Sequence, residues 1–411
     1  MVSTRPVYRP PSAPRRQRLP RHIYWRRRAL VALSALTLVI VGYLGVTLAF
    51  ALNNPTYGVS TLARIAEWGR GQGIGGFVTW AETEYYKLNP PKVGGSAPLS
   101  AFGSGPSTVR VRAGGHLPEP PRIISPAAVP EPGEGVWHVA GRTTANGVPT
   151  MYEAFVRPNA INTSYVVGVA WMDPTLLRAQ LYSGSFIPGG ATHFTHSAPI
   201  TTAASRTLVA AFNAGFRMQD ANGGYYTDGR TILPLRNGAA SAVIFKDGTM
   251  SVGMWGRDFK MSNQIASVRQ NLDLIVDHGS AVPGLASQNS NKWGKTLGGT
   301  FNVWRSGLGV TKDGALVYVG GPSLSISDLA NVLVRAGAVE GMQLDINTDW
   351  VQFSAYHGAP NVPVNGNNGA SLLSGMLGPP SRYFTTWWNR DFFTMSLRPS
   401  ATTLAKGVAG G

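Results

Sequence analysis

Beyond Val136 this chain of 411 residues contains only two glutamates, Glu153 and Glu340, so acid–base chemistry there rests on its aspartates. Four of the twelve have a local reason for their position. Asp247 and Asp313 precede glycines in tight turns, Asp173 precedes a proline, and Asp328 stands at a helix start. Asp345 has no such reason. It follows an apolar run, where a carboxylate is costly unless it is paired or used. Asp345-x-Asn347-x-Asp349 has the spacing that opens a calcium loop. However, Trp350 stands where such loops need glycine, and Tyr356 where they need a bidentate glutamate. No metal is assigned, and calcium is the one ion the spacing leaves open. Arg305, set among apolar residues, offers a planar fork suited to a phosphate or to a buried ion pair. Asn213 ends an apolar run, where it can bind a hydroxyl or phosphate oxygen or simply cap a strand. Gly215 lets the backbone turn or approach a ligand. The loop Asn222-Gly-Gly-Tyr-Tyr-Thr-Asp228-Gly-Arg230 combines aromatic, acidic and basic groups, a set that suits a sugar and equally a surface hairpin.

These residues need a scaffold, and the stretch 304–350 supplies most of it. Lys312-Asp313-Gly314 is a hairpin turn between apolar runs. Leu316 and Tyr318 point to one face of the second strand, Val317 and Val319 to the other. Ser325 or Ser327 caps a helix whose apolar stripe is Leu329, Val332, Leu333 and Ala336, and Gly337 stops it. A strand over 339–346 then delivers Asp345, Asn347 and Asp349 to its C-terminal end. Upstream, short β-type runs alternate with turns from residue 136. A second helix is expected at 265–271, and the aromatic run 383–397 is expected to be the last strand. The fold class is α+β, a large mixed or antiparallel sheet with few helices.

Two stretches carry a resemblance to a known family. Arg305-Ser-Gly-Leu-Gly-Val-Thr-Lys-Asp-Gly314, followed by a helix and Gln343-Leu344-Asp345, resembles the second half of the phosphodiester glycosidase domain. Ala211-Phe212-Asn213-Ala214-Gly215-Phe216 resembles its first-half signature. The family usually follows its Leu-Asp pair with glycines and serines, where this chain has Ile346-Asn347-Thr348-Asp349. The resemblance implies hydrolysis of a sugar-1-phosphodiester at its glycosidic bond. With that chemistry, Asp345, Arg305 and Asp228 are the candidate catalytic residues. Asn213, Gly215, Phe216, Arg230 and Asn347 are the candidate substrate-binding residues. A non-catalytic envelope-glycan binder and a membrane scaffold are the alternative readings.

Composition sets the surroundings. The chain lacks cysteine, which excludes disulfides, thiolate metal sites and a thiol nucleophile. Its net charge is +16, but nine arginines and no acid precede Ala29, leaving +7 for the rest. The excess is therefore a tail and not a nucleic-acid groove. Residues 29–52 are apolar and uncharged, long enough to cross a bilayer. The arginines on their N-terminal side place the tail in the cytoplasm and the remainder outside, as a single-pass signal anchor. The expected organisation is a basic tail (1–28), the anchor (29–52), juxtamembrane amphipathic helices (53–88), a Pro/Gly-rich linker (89–132) and the phosphodiester glycosidase-like domain (136–400). The expected partners are a glycosyl phosphate and the membrane, with no nucleic acid. Oligomeric state is not legible.

Overall fold

The computed structural model describes residues 20–103, 115–184, 187–189, 193–286, 291–294, 302–385 and 390–399. Most of the basic tail and the Gly/Ala tail after Ser400 lie outside the described residues. Helix α1 (Arg21–Asn53) is long and apolar enough to span a membrane. It forms a unit by itself, and residues 54–411 form the other.

In that second unit the named strands build three sheets, each antiparallel throughout. The largest runs β1 (His138–Ala140), β2 (Met151–Val156), β3 (Val167–Met172), β14 (Leu316–Leu324), β13 (Val303–Thr311), β15 (Ala338–Ile346), β11 (Leu274–Asp277), β12 (Ser280–Ala281). A second runs β17 (Gly369–Ser371), β16 (Phe353–Tyr356), β5 (Leu208–Asn213), β18 (Phe392–Leu397), β4 (Leu177–Tyr182). The third runs β7 (Arg230–Leu233), β6 (Tyr225–Thr227), β10 (Ile265–Gln270), β8 (Ala240–Phe245), β9 (Met250–Met254). One core joins all three. Leu316, Tyr318, Met342 and Leu344 from the first sheet meet Phe212, Phe353 and Phe393 from the second and Ala242 and Ile244 from the third.

The two faces of β14 follow the alternation in its sequence. Leu316 and Tyr318 enter this shared core, while Val317 and Val319 face the opposite layer. Helix α6 (Ile326–Arg335) covers that layer with Ile326, Leu329, Val332 and Leu333. Ser325 is its cap, in a reciprocal box with Asp328. Glycine is needed beneath it at Gly307, where an added Cβ would lie 3.2 Å from both Leu329 and Leu333. The one-turn helices α4 (Thr202–Ser205) and α5 (Met218–Ala221) flank β5.

Three expectations change. Residues 265–271 are strand β10 and not a helix. Apolar residues at 265, 268 and 272 imitate a helical period because a bulge between Ile265 and Ser267 interrupts the two-residue alternation. The last strand, β18, starts only at Phe392, with Pro380–Phe384 a short 3-10 turn, and it lies inside its sheet between β5 and β4, buried on both faces. The Pro/Gly-rich stretch is pinned to the domain. Gly94 N–H donates to Ile161 O (2.7 Å), Leu117 N–H to Asp173 (2.8 Å), and Phe102 and Ile123 are buried. Helices α2 (Thr61–Gly71) and α3 (Gly75–Leu88) form a hairpin in the same unit.

Candidate active site

A cavity lined by many ionisable groups lies at the C-terminal end of β15. Its lining includes Asp345, Asn347, Trp350, Phe216, Arg217 and Arg390, and from the α2–α3 hairpin Glu67, Arg70, Glu82 and Tyr86.

Asp345 is 4% exposed. Its backbone N–H donates to Ser306 Oγ (3.1 Å), and one carboxylate oxygen accepts from the Ile346 N–H (2.8 Å). The other lies 3.9 Å from Arg390 Nη1. Its pKa is raised to about 7, chiefly by burial, against the pull of the Arg390 guanidinium and the Ile346 N–H and with a further push from Glu67. Asp345 is therefore a group that changes charge near neutrality.

A buried polar framework fixes the floor. Asn213, at the end of β5, donates to Ser306 Oγ (3.0 Å) and accepts from Tyr318 OH (3.1 Å) and the Gln352 N–H (3.1 Å). It thereby ties the second sheet to β13 and β14 directly beneath Asp345. Asn271 donates to the carbonyls of Gln343 (2.8 Å) and Leu344 (3.0 Å) and accepts from the Phe216 N–H (3.1 Å). Arg269 and Asp391, both 0% exposed, pair at 2.6 Å, and Arg269 also donates to Phe216 O. Gly215 sits against this pair, at φ +156°, with Asn271 Oδ1 only 3.1 Å from where a Cβ would be. These contacts aim Phe216 at the cavity.

The rim is made by charges that meet across elements. Glu67 of α2 lies 3.1 Å from Arg217 and 3.3 Å from Arg390, with Arg70 at 3.6 Å. Arg390 stacks on the Trp350 ring at 3.9 Å. Arg217 also grips Asp220 (2.7 Å), and Arg70 grips Glu82. Tyr86 is pushed up to about 12, chiefly by burial and next by Glu82. Asp349 anchors the hairpin. Its carboxylate accepts from the Ser60 N–H (2.7 Å) and Ser60 Oγ (2.9 Å), and Ser60 in turn caps α2. Both oxygens of this acid, the third in the calcium-like spacing, are thus committed to Ser60.

The sequence-derived candidates divide into three groups. Asp345, Asn347 and Phe216 line the cavity, and Asn213 and Gly215 support it from below. Arg305 is fully buried outside the lining and donates to Leu324 O (2.9 Å) and Gln343 Oε1 (3.0 Å). Burial lowers its pKa to about 10. Asp228 and Arg230 sit around the β6–β7 turn, where Asp228 accepts from the Thr195 N–H (2.8 Å) and Arg230 donates to His193 O (2.7 Å). The cavity residues that sequence reasoning missed include Glu67, Arg70, Glu82, Tyr86 and Arg390. One signal was available: Glu67 and Arg70 share a helical spacing of three in α2.

Residues 206–345 match the phosphodiester glycosidase family. No curated protein matches the chain. Among solved structures, the chain is similar to the catalytic domain of zebrafish N-acetylglucosamine-1-phosphodiester alpha-N-acetylglucosaminidase, auto-inhibited by its pro-peptide. Identity is 13%, with 75% of this chain and 100% of that one covered and a TM-score of 0.40. It is also similar to a hypothetical protein from Synechocystis, at 12% identity, 62% and 63% coverage and a TM-score of 0.33. A putative exported protein from Burkholderia pseudomallei aligns at 13% identity, 57% and 74% coverage and a TM-score of 0.26. The matched stretch runs from just before β5 to Asp345 and contains both segments of the resemblance, Ala211–Phe216 and Arg305–Asp345.

Proposed function

We propose that the protein is a membrane-tethered hydrolase that cleaves the glycosidic bond of a sugar-1-phosphodiester in the cell envelope, at the cavity around Asp345. The observation that carries this reading is the grip of Arg217 and Arg390 on the Glu67 carboxylate beside buried Asp345. A carboxylate held by two guanidiniums occupies the place where a substrate phosphate would be held. Arg217 and Arg390 take the phosphate role in place of Arg305, whose guanidinium is spent on Leu324 and Gln343.

In the reaction, the bond between the anomeric carbon and the phosphate oxygen breaks, and its electron pair leaves with the phosphate. The two arginines hold that charge as it develops. Water adds to the anomeric carbon and passes its proton to the Asp345 carboxylate, which also stabilises the cationic centre. The products are a free sugar and a phosphomonoester. Only about 70 Å³ is free among the lining side chains, against the roughly 300–1,000 Å³ of small-ligand pockets, so substrate enters when Glu67 withdraws.

The test is a panel of methyl esters of sugar-1-phosphates, assayed for release of reducing sugar. Hydrolysis of at least one ester is expected, faster with Glu67→Ala. Binding without release by both proteins would make this a glycan-binding protein. The orientation is part of the proposal: a reporter active only outside the cytoplasm, fused after Ser400, should be active. A silent reporter would reverse it.

A further inference from the structure

Helix α3 is inverted for a helix on a water-facing domain. At 100° per residue, positions 77, 80, 84 and 88 fall within one strip about 80° wide, and positions 82 and 86 lie on the opposite side. A helix packed on a soluble protein turns its apolar strip inward. Here Glu82 and Tyr86 turn inward, to the cavity, while Phe77, Trp80 and Leu88 are 63%, 57% and 80% exposed. The Phe77 and Trp80 rings lie 5.5 Å apart and make a continuous aromatic surface. The one acid in the strip, Glu84, is neutralised by Lys87 at 2.7 Å.

We infer that this outer face of α3 docks onto the lipid surface of the membrane that α1 enters. Chain connectivity argues for that occupant. Seven residues, 54–60, join α1 to α2, and seven extended residues reach at most about 25 Å. The start of α2 is therefore held within about 25 Å of the end of α1, and with α3 only one short helix further along, the strip meets the bilayer at high effective concentration. Its residue types suit an interface: Trp80 and Tyr85 present rings with one polar atom, and Lys87 can extend its ammonium toward headgroups. The energetic logic is the burial of exposed apolar rings, without any need to unfold the hairpin. Because the opposite side of the same hairpin carries Glu67, Arg70 and Tyr86 into the cavity, the docked hairpin lies between the lipid and the cavity. The docking itself stands apart from the hydrolysis proposed above.

The absence of cysteine makes the test direct. Single variants Phe77→Cys, Trp80→Cys and Leu88→Cys of the full chain are labelled with an environment-sensitive fluorophore and placed in phosphatidylcholine–phosphatidylglycerol nanodiscs. Val362→Cys, at an exposed apolar position elsewhere, is the aqueous reference, and Leu38→Cys in α1 is the membrane reference. A lipid carrying a spin-label quencher in its acyl chain should quench the three α3 labels at least about threefold more than Val362→Cys, as for a face about 5–10 Å into the headgroup–acyl boundary. Quenching equal to the Val362→Cys label overturns the inference. So does oxidative disulfide cross-linking of the unlabelled α3 cysteines between copies together with unquenched labels, which makes the strip a self-association surface. An unquenched Leu38→Cys label overturns it at its premise.

Discussion

Replacing Asp345 by asparagine should separate chemistry from stability through pH. The carboxyl is 4% exposed and its pKa is raised to about 7, first by burial and then by Glu67, against the pull of Arg390. A carboxyl with a raised folded pKa holds its proton more tightly folded than unfolded. Its stabilising contribution is fully present below the unfolded value of about 3.9 and is lost as pH rises to about 7. Between pH 5 and pH 7 that loss is about 2 kcal/mol, since the full slope of about 1.4 kcal/mol per unit falls by half as the group titrates, and it approaches about 3 kcal/mol by pH 8. Asparagine keeps the shape and the acceptor for the Ile346 N–H but has no proton to lose. The stability of Asp345→Asn relative to wild type should therefore rise by about 3 kcal/mol from pH 5 to pH 8. Glu153 and Glu340 are also raised to about 7, the first by burial alone and the second chiefly by burial, so wild type alone would mix three titrations. The difference between variant and wild type isolates one. The assay is denaturant unfolding of both proteins at pH 5, 6, 7 and 8, with turnover of a sugar-1-phosphodiester measured beside it. A stability gap that stays constant with pH would refute the raised pKa. Undiminished turnover by a folded Asp345→Asn protein would remove Asp345 from the chemistry.

Other perturbations test the scaffold. Asp391→Ala leaves the guanidinium of Arg269 buried without its 2.6 Å partner and should cost about 3–5 kcal/mol in chemical denaturation, more than the paired change Arg269→Met with Asp391→Leu. Gly307→Val adds a Cβ 3.0 Å from Met342 O and 3.2 Å from Leu329 and Leu333, and should lower stability by about 1–3 kcal/mol by lifting α6, read as a lower denaturation midpoint. Asp349→Ala removes both hydrogen bonds to Ser60 and should speed amide exchange across residues 60–71 while leaving β13 and β15 protected.

Much of the fold was legible because local rules agree with the tertiary result. Asp313-Gly314 turns a hairpin wherever it stands between apolar runs. The alternation in β14 sends Tyr318 and Val319 to opposite layers, and Ser325 with Asp328 caps α6. Periodicity failed at 265–271 because a bulge changes spacing without leaving a mark in residue type. The site was legible at Asp345, Asn347 and Phe216, since a carboxylate after an apolar strand and a glycine before an aromatic are conspicuous in the chain itself. Arg305 was conspicuous in the same way, but its partners are Leu324 O and Gln343, one reached across a hairpin and the other on a neighbouring strand. Only the tertiary structure decided that Glu67 and Arg390, 323 positions apart, meet beside Asp345. Local sequence sets the backbone's turns and the burial of apolar faces, because those depend on near neighbours and solvent. It does not set which charged side chains converge, because that depends on where three sheets and a distant hairpin pack.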